Sequence, residues 1–154
     1  MRMIKLLAVV TIMGLSQPAF SQSDEDIMQM SIAELEANRT ELVSSSMRMD
    51  ASTSEKFWPV YQAYRTDIGS HKQSMLDLIK RYAENYGALT DDQAATLIKD
   101  YMKLESDRLK IRKKYVKKMQ QTVGDVLAMR FLQIENKMDS IVGFGIGAQI
   151  PLAE

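Results

Sequence analysis

Between residues 22 and 142 the chain carries only three glycines and one proline: Gly69, Gly87, Gly124 and Pro59. Apolar residues in this stretch recur every three or four positions, and strand-like alternation is absent. So long a run with so few breakers leaves little choice but helices packed on helices. The expected fold class is all-α, with helices at about 24–47, 50–86, 90–121 and 125–142.

The stripes support this division. In the second helix Phe57, Tyr61, Tyr64, Ile68, Met75, Leu78, Tyr82 and Tyr86 share one side, with His71 filling a slot. Such spacing makes a seam against another helix. The third helix carries Leu97, Tyr101, Leu104, Ile111, Tyr115 and Met119, widened by Ile98, Leu109 and Val116. The fourth turns Leu127, Phe131, Ile134, Met138 and Ile141 inward. The first is weaker, with Ile32, Leu35 and Leu42.

Punctuation falls between the stripes. Asp24, Glu25 and Asp26 suit a positive helix start, and Ser44, Ser45 and Ser46 are expected to end the first helix. Asp50 is the expected N-cap of the second, with Ser52 and Glu55 as an alternative capping box. Gly87 is expected to close it in a left-handed conformation. In "LTDDQ", residues 89–93, Thr90 and Gln93 can cap each other's backbone while Asp91 and Asp92 occupy the first turn. Gly124 and Asp125 mark a break and a new start. Residues 143–154, "GFGIGAQIPLAE", form an apolar tail expected to drape over the helices or cap an interface.

Pro59 stands inside the second stripe's helix. At 100° per residue it points almost opposite Phe57, Tyr61 and Tyr64. A proline there frees the carbonyl of Glu55, which water can satisfy on the solvent side, and the helix bends around its apolar face. The other reading starts the helix near Trp58, with Pro59 in its first turn.

The N-terminus reads as a signal peptide covering residues 1–21. Arg2 and Lys5 precede an apolar run from Leu6 to Leu15, and Ala19 and Ser21 have peptidase spacing. The run is shorter than the roughly 20 residues that span a bilayer, so no membrane span is expected after cleavage. A periplasmic protein follows, with one helical domain at 22–142 and the tail at 143–154. Export without a single cysteine requires that the core suffice without disulfides. Loss of Arg2 and Lys5 leaves 18 basic and 20 acidic residues. Net charge thus gives no sign of a nucleic-acid partner, and none is expected.

The "LTDDQ" start resembles the LTxxQ signature of the Spy/CpxP-like periplasmic proteins. "YVKKMQQTVGDVLAMRFLQ", residues 115–133, is similar to the segment around their second motif, with Val123-Gly124 where Leu-Thr would stand. The likeness covers roughly residues 42–140. "FWPVY" and "FLQIENKM" are not hallmarks of Spy or CpxP themselves and suggest a separate branch. The resemblance implies a thin, curved, antiparallel helical cradle, usually dimeric. Such proteins act as ATP-independent chaperones, envelope-stress adaptors or metal-responsive sensors.

The residues themselves offer a surface for unfolded or envelope proteins. Lys110, Lys114 and Lys117, with Lys99 and Lys103, lie on the third helix opposite its stripe. Such a face is usually just solvated, but it can also speed encounter with acidic chains. Arg108 and Arg112 lie nearer the stripe and suit mixed apolar and cationic contacts. Trp58 sits about 100° off the second stripe and is the candidate exposed aromatic. Nine methionines remain after cleavage. Met28 and Met30, then Met47 and Met49, form M-x-M pairs that suit packing, adaptable contacts or Cu(I). His71 is the lone histidine and cannot build a zinc site by itself; a buried, hydrogen-bonded role is expected.

Catalysis is not expected. Asp91 and Asp92 are capping residues, Glu135 has no evident partner, and Ser44–Ser46 lack a nearby histidine. No phosphate-binding glycine loop occurs, and no cofactor is expected. The expected function is binding of unfolded or partner proteins by a homodimer. A metal-responsive sensor and a purely structural envelope protein are the alternatives.

Overall fold

The computed structural model describes residues 32–153, with side chains from residue 34. The expected signal peptide, the expected start of the first helix near Asp24, and Met28 and Met30 lie outside the described residues. Four helices follow in order: α1 Ile32–Met47, α2 Ala51–Asn85, α3 Asp91–Val123 and α4 Asp125–Gly147. A 3-10 turn, Tyr86–Ala88, joins α2 to α3. The chain is all-α, and no strand forms among the described residues.

Backbone packing joins α2 to α3, α3 to α4, and α4 to α1. Tyr64 meets Tyr115 and Arg81 meets Asp100, so α2 and α3 run antiparallel along most of their length. Arg130 of α4 donates to the Met47 carbonyl, while Arg39 of α1 reaches Glu135. Those two helices therefore also run antiparallel, and the order is up-down-up-down.

Helix lengths split the molecule. At 1.5 Å per residue α2 and α3 are each about 50 Å long, and α4 is about 35 Å. Around Phe57–Ile68 all four helices meet, and Phe131 stands edge-on to Phe57, Tyr61 and Tyr64 with centroids 5.2–6.4 Å apart. Edge-on rings place the positive rim of one against the negative face of another. Met47, Met119 and Met138 fill the remaining gaps and are fully buried. Farther along, α2 and α3 continue past these neighbours, accompanied by the end of α4 and the C-terminal segment. There the Tyr82 hydroxyl donates to the Pro151 carbonyl at 2.9 Å. The near half is thus a four-helix bundle, and in the far half α2 and α3 have fewer neighbours.

The helix starts have the expected chemistry. Asp50 accepts from the Thr53 amide at 2.8 Å. Thr90 and Gln93 form a full capping box at α3. Pro59 lies nine positions into α2, exposed, while Phe57 and Tyr61 are buried. The first-turn placement of Pro59 is therefore not the one adopted.

Three ends differ from expectation. Ser44–Ser46 do not stop α1: Ser45 donates to the Leu42 carbonyl, and buried Val43 and Met47 keep that turn helical. The helix ends instead at Arg48, whose φ is 51°. Gly87 does not take a left-handed conformation, since Gly124 is the only positive-φ glycine among the described residues. Side-chain amides close α2 instead: Asn85 donates to the Arg81 carbonyl and accepts from Gln93. Finally, α4 runs to Gly147, through residues expected to be tail. Glycine weakens a helix by about 0.5–1 kcal/mol per position, which packing of Ile141 and Val142 against the core can offset. At Gly124, φ 83° and ψ 167° turn α3 into α4 in one residue, a conformation essentially limited to glycine.

Candidate functional site

The centre of the bundle holds a carboxylate. Glu135 of α4 is 2% exposed. It accepts from Arg39 Nη1 at 3.1 Å, the Tyr61 hydroxyl at 3.1 Å and the Tyr64 hydroxyl at 3.2 Å. Arg39 also donates to Glu36 at 2.7 Å, and Glu36 accepts from Arg65 and Lys72. Burial and the Glu135 charge push both phenols well above their ordinary range, so they stay neutral donors. Burial alone would favour a neutral Arg39, but hydrogen bonding to Glu36 and the charge of Glu135 outweigh it and hold the guanidinium protonated. Burial likewise pushes Glu36 up, yet Arg39, Lys72 and Arg65 bring it down to about 2.

Glu135 therefore does have partners, contrary to the expectation from sequence. They lie 96, 74 and 71 residues away, so no local spacing signals them. Glu135, Arg39, Tyr61 and Tyr64 are all engaged by protein atoms. The evident work of this knot is to fix how α1, α2 and α4 sit against one another.

The candidate contact residues do not form one surface. Trp58 is half-buried, edge-on to Phe57 and Tyr61, and its indole N–H donates to Ser54. It lines a cleft of about 380 Å³ between α1 and α2, together with Arg39, Thr40 and Arg65. Arg65 Nη1 is the one buried side-chain nitrogen or oxygen without a hydrogen-bond partner among the described residues. Arg108 and Arg112 instead reach α4, at Asp139 (3.1 Å) and Asn136. Lys114 bonds Asp67 at 2.8 Å and lies over the Tyr115 ring, and Lys110 bonds Asp107. Hydrogen bonds from Lys114 and Tyr115 hold the Asp67 carboxyl below its ordinary value. Lys117 is exposed on α3.

The possible metal ligands are dispersed. His71 is buried, and its Nε2 lies 2.9 Å from the Leu104 carbonyl, so that nitrogen donates. Met47 is enclosed in the core and Met49 packs against it. Among the described residues no group of three or more His, Cys, Asp or Glu is placed to hold a metal ion.

The far half of the α2–α3 hairpin presents a different feature. A groove of about 430 Å³ runs between the helices, walled by Leu78 and Tyr82 of α2, Leu97, Ile98 and Tyr101 of α3, and Ile150. Its lining side chains are apolar but for the tyrosine hydroxyls. Ile98 is 63% exposed and Tyr101 47%. A second cleft, about 410 Å³, adjoins it between α2 and the end of α4 and shares Met75, Ile79, Tyr101 and Ile150. Arg108 is the one candidate contact residue that lines it. Sequence reasoning read these stripes as helix–helix seams and did not single out the part that stays open. The available signal was length: the stripes of α2 and α3 outrun α4.

No helix among the described residues is long and apolar enough to cross a membrane. No protein-family model matches the chain, and neither does a curated protein or a solved structure.

Proposed function

We propose that this is an exported, non-enzymatic binding protein of the periplasm, chaperone-like in action. It holds an apolar segment of an unfolded or envelope protein along the far half of the α2–α3 hairpin, without nucleotide. The observation that carries this reading is the continuous apolar groove with Ile98 and Tyr101 standing open on it. An exposed apolar patch of this kind marks a contact site more often than a passive surface. Lys99 and Lys103 lie exposed on the same stretch of α3 and would raise the rate of encounter with acidic chains. The likeness of "LTDDQ" to the LTxxQ signature and the signal-peptide reading support the compartment and the class.

The test mixes the chain from Gln22 onward with an unfolding model client, without ATP, and follows light scattering. Suppression is expected near one chain per client. An Ile98→Asp/Tyr101→Asp variant, with unchanged circular dichroism, is expected to need at least tenfold more protein. Equal protection by that variant would overturn the groove assignment.

A further inference from the structure

We propose that the cleft between α2 and the end of α4 is a binding site for a small single-chain amphiphile with an ammonium head. Its volume, about 410 Å³, is that of a small-molecule site. The cleft has two chemically different ends. At one, Lys72 of α2 and Arg108 of α3 both meet Asp139 of α4. Ile79 and Ile146 lie seven residues farther along α2 and α4, and Tyr101 seven residues back along antiparallel α3. At the helical rise that second end is about 10 Å away, and Ile150 joins it. A hydrocarbon body with one polar end matches this division.

The sign of the head follows from which group in the wall is left over. Both cations are spent on carboxylates: Lys72 on Glu36 and Asp139, Arg108 on Asp139. His71 is likewise engaged, through Nε2 on the Leu104 carbonyl. Glu105 of α3 also lines the cleft and is half-buried. It makes no hydrogen bond or ion pair among the described residues, because Arg108, one turn on, turns to α4. An ionised carboxylate only accepts, so its complement is a cationic donor, and such charge-assisted bonds are the stronger kind.

A second group favours the same ligand. Tyr101 precedes Glu105 by four residues, so the two are neighbours on one face of α3. Its ring lines the cleft, and a cation is drawn to the face of such a ring. An ammonium seated between the Glu105 carboxylate and the Tyr101 ring would lay its hydrocarbon over Ile79 and Ile146. A carboxylate or phosphate head in that place would meet Glu105 with like charge.

The apolar end shares Ile79, Tyr101 and Ile150 with the proposed client groove, so a bound amphiphile would compete with a client. This competition rests on the reading of the previous subsection; the amphiphile site itself does not.

The test titrates decylammonium, below its micelle concentration, into the full chain by calorimetry. It is expected to bind at least tenfold tighter than decanoate, which has a similar tail and the opposite charge. Equal affinities would overturn the proposal. Glu105→Gln, with unchanged circular dichroism, is expected to weaken decylammonium at least fivefold and decanoate not at all; unchanged decylammonium binding would also overturn it. Gly143 lines the cleft, and a Cβ there would meet nothing within 4 Å. Gly143→Leu is therefore expected to fold and to weaken decylammonium at least fivefold, and equal binding by that variant would place the ligand elsewhere and sink the site. If decylammonium fails to bind while Glu105→Gln weakens a lysine-bearing apolar peptide, the carboxylate serves a protein segment and the small-ligand proposal falls. Decylammonium binding without client protection would sink the chaperone reading alone. Client protection without a preference for the ammonium would sink the amphiphile site alone.

Discussion

The two halves of the α2–α3 hairpin carry the same kind of apolar stripe and meet different fates. In the near half Phe57, Tyr61, Tyr64 and Ile68 are at most 2% exposed. In the far half Leu78 of α2 is still buried, but Ile98 and Tyr101 of α3 are 63% and 47% exposed. The difference lies in what faces them, since α1 and α4 cover the first set and only the end of α4 and the C-terminal segment reach the second. A stripe therefore states a demand for cover, and the lengths of neighbouring helices decide whether it is met. The near half adds a buried polar knot that fixes alignment, whereas the far half has mainly surface ion pairs such as Arg81–Asp100.

The sharpest way to break this contrast is Arg39→Leu. Removing the guanidinium leaves Glu135 charged and buried, a loss expected to cost about 3–5 kcal/mol in urea unfolding. Adding Glu135→Gln, which removes the charge yet can still meet the two phenols, is expected to recover more than half of it. If Arg39→Leu costs under 1 kcal/mol, the knot does not hold the bundle.

Acid should act on the same half. The Glu36 carboxyl sits at about 2 against an ordinary 4.5. Its contribution is fully present above pH 4.5 and disappears as pH falls toward 2. Discounted for its partial exposure, the loss is on the order of 1 kcal/mol. Unfolding at pH 6 and pH 3, compared with a Glu36→Gln variant, measures it; an identical drop in both proteins would assign the acid response elsewhere.

The smallest effect belongs to the far half. Ile98→Ala removes an exposed side chain and is expected to change stability by no more than about 0.5 kcal/mol. A loss above 2 kcal/mol would mean that Ile98 is covered in solution, and the contrast between the halves would fail.

Much of the fold was legible because it is written locally. Helix class follows from three-and-four spacing, the α2 and α3 starts from Asp50 and from Thr90 with Gln93, and the α3–α4 break from Gly124. The misjudged ends share a cause. Ser44–Ser46 and the glycines after Val142 are weak helix formers, and packing on neighbouring helices overrode them. Gly87 was expected to take a conformation that the Asn85 and Gln93 amides made unnecessary.

The candidate site was less legible. Trp58, Arg108 and the lysines were sorted by angle on isolated helices, which cannot show that Arg108 and Arg112 turn to α4 or that Lys114 reaches Asp67. Glu135 gave no signal, because its partners come from two helices far away in the chain.

By itself, the sequence determined the helices, their caps and which faces are apolar, since each depends on residues within about one turn of each other. Only the tertiary structure decided that one half of the hairpin is enclosed around Glu135 and the other left open as a groove. That outcome depends on where four helices of unequal length end against one another, and no local interaction sets it.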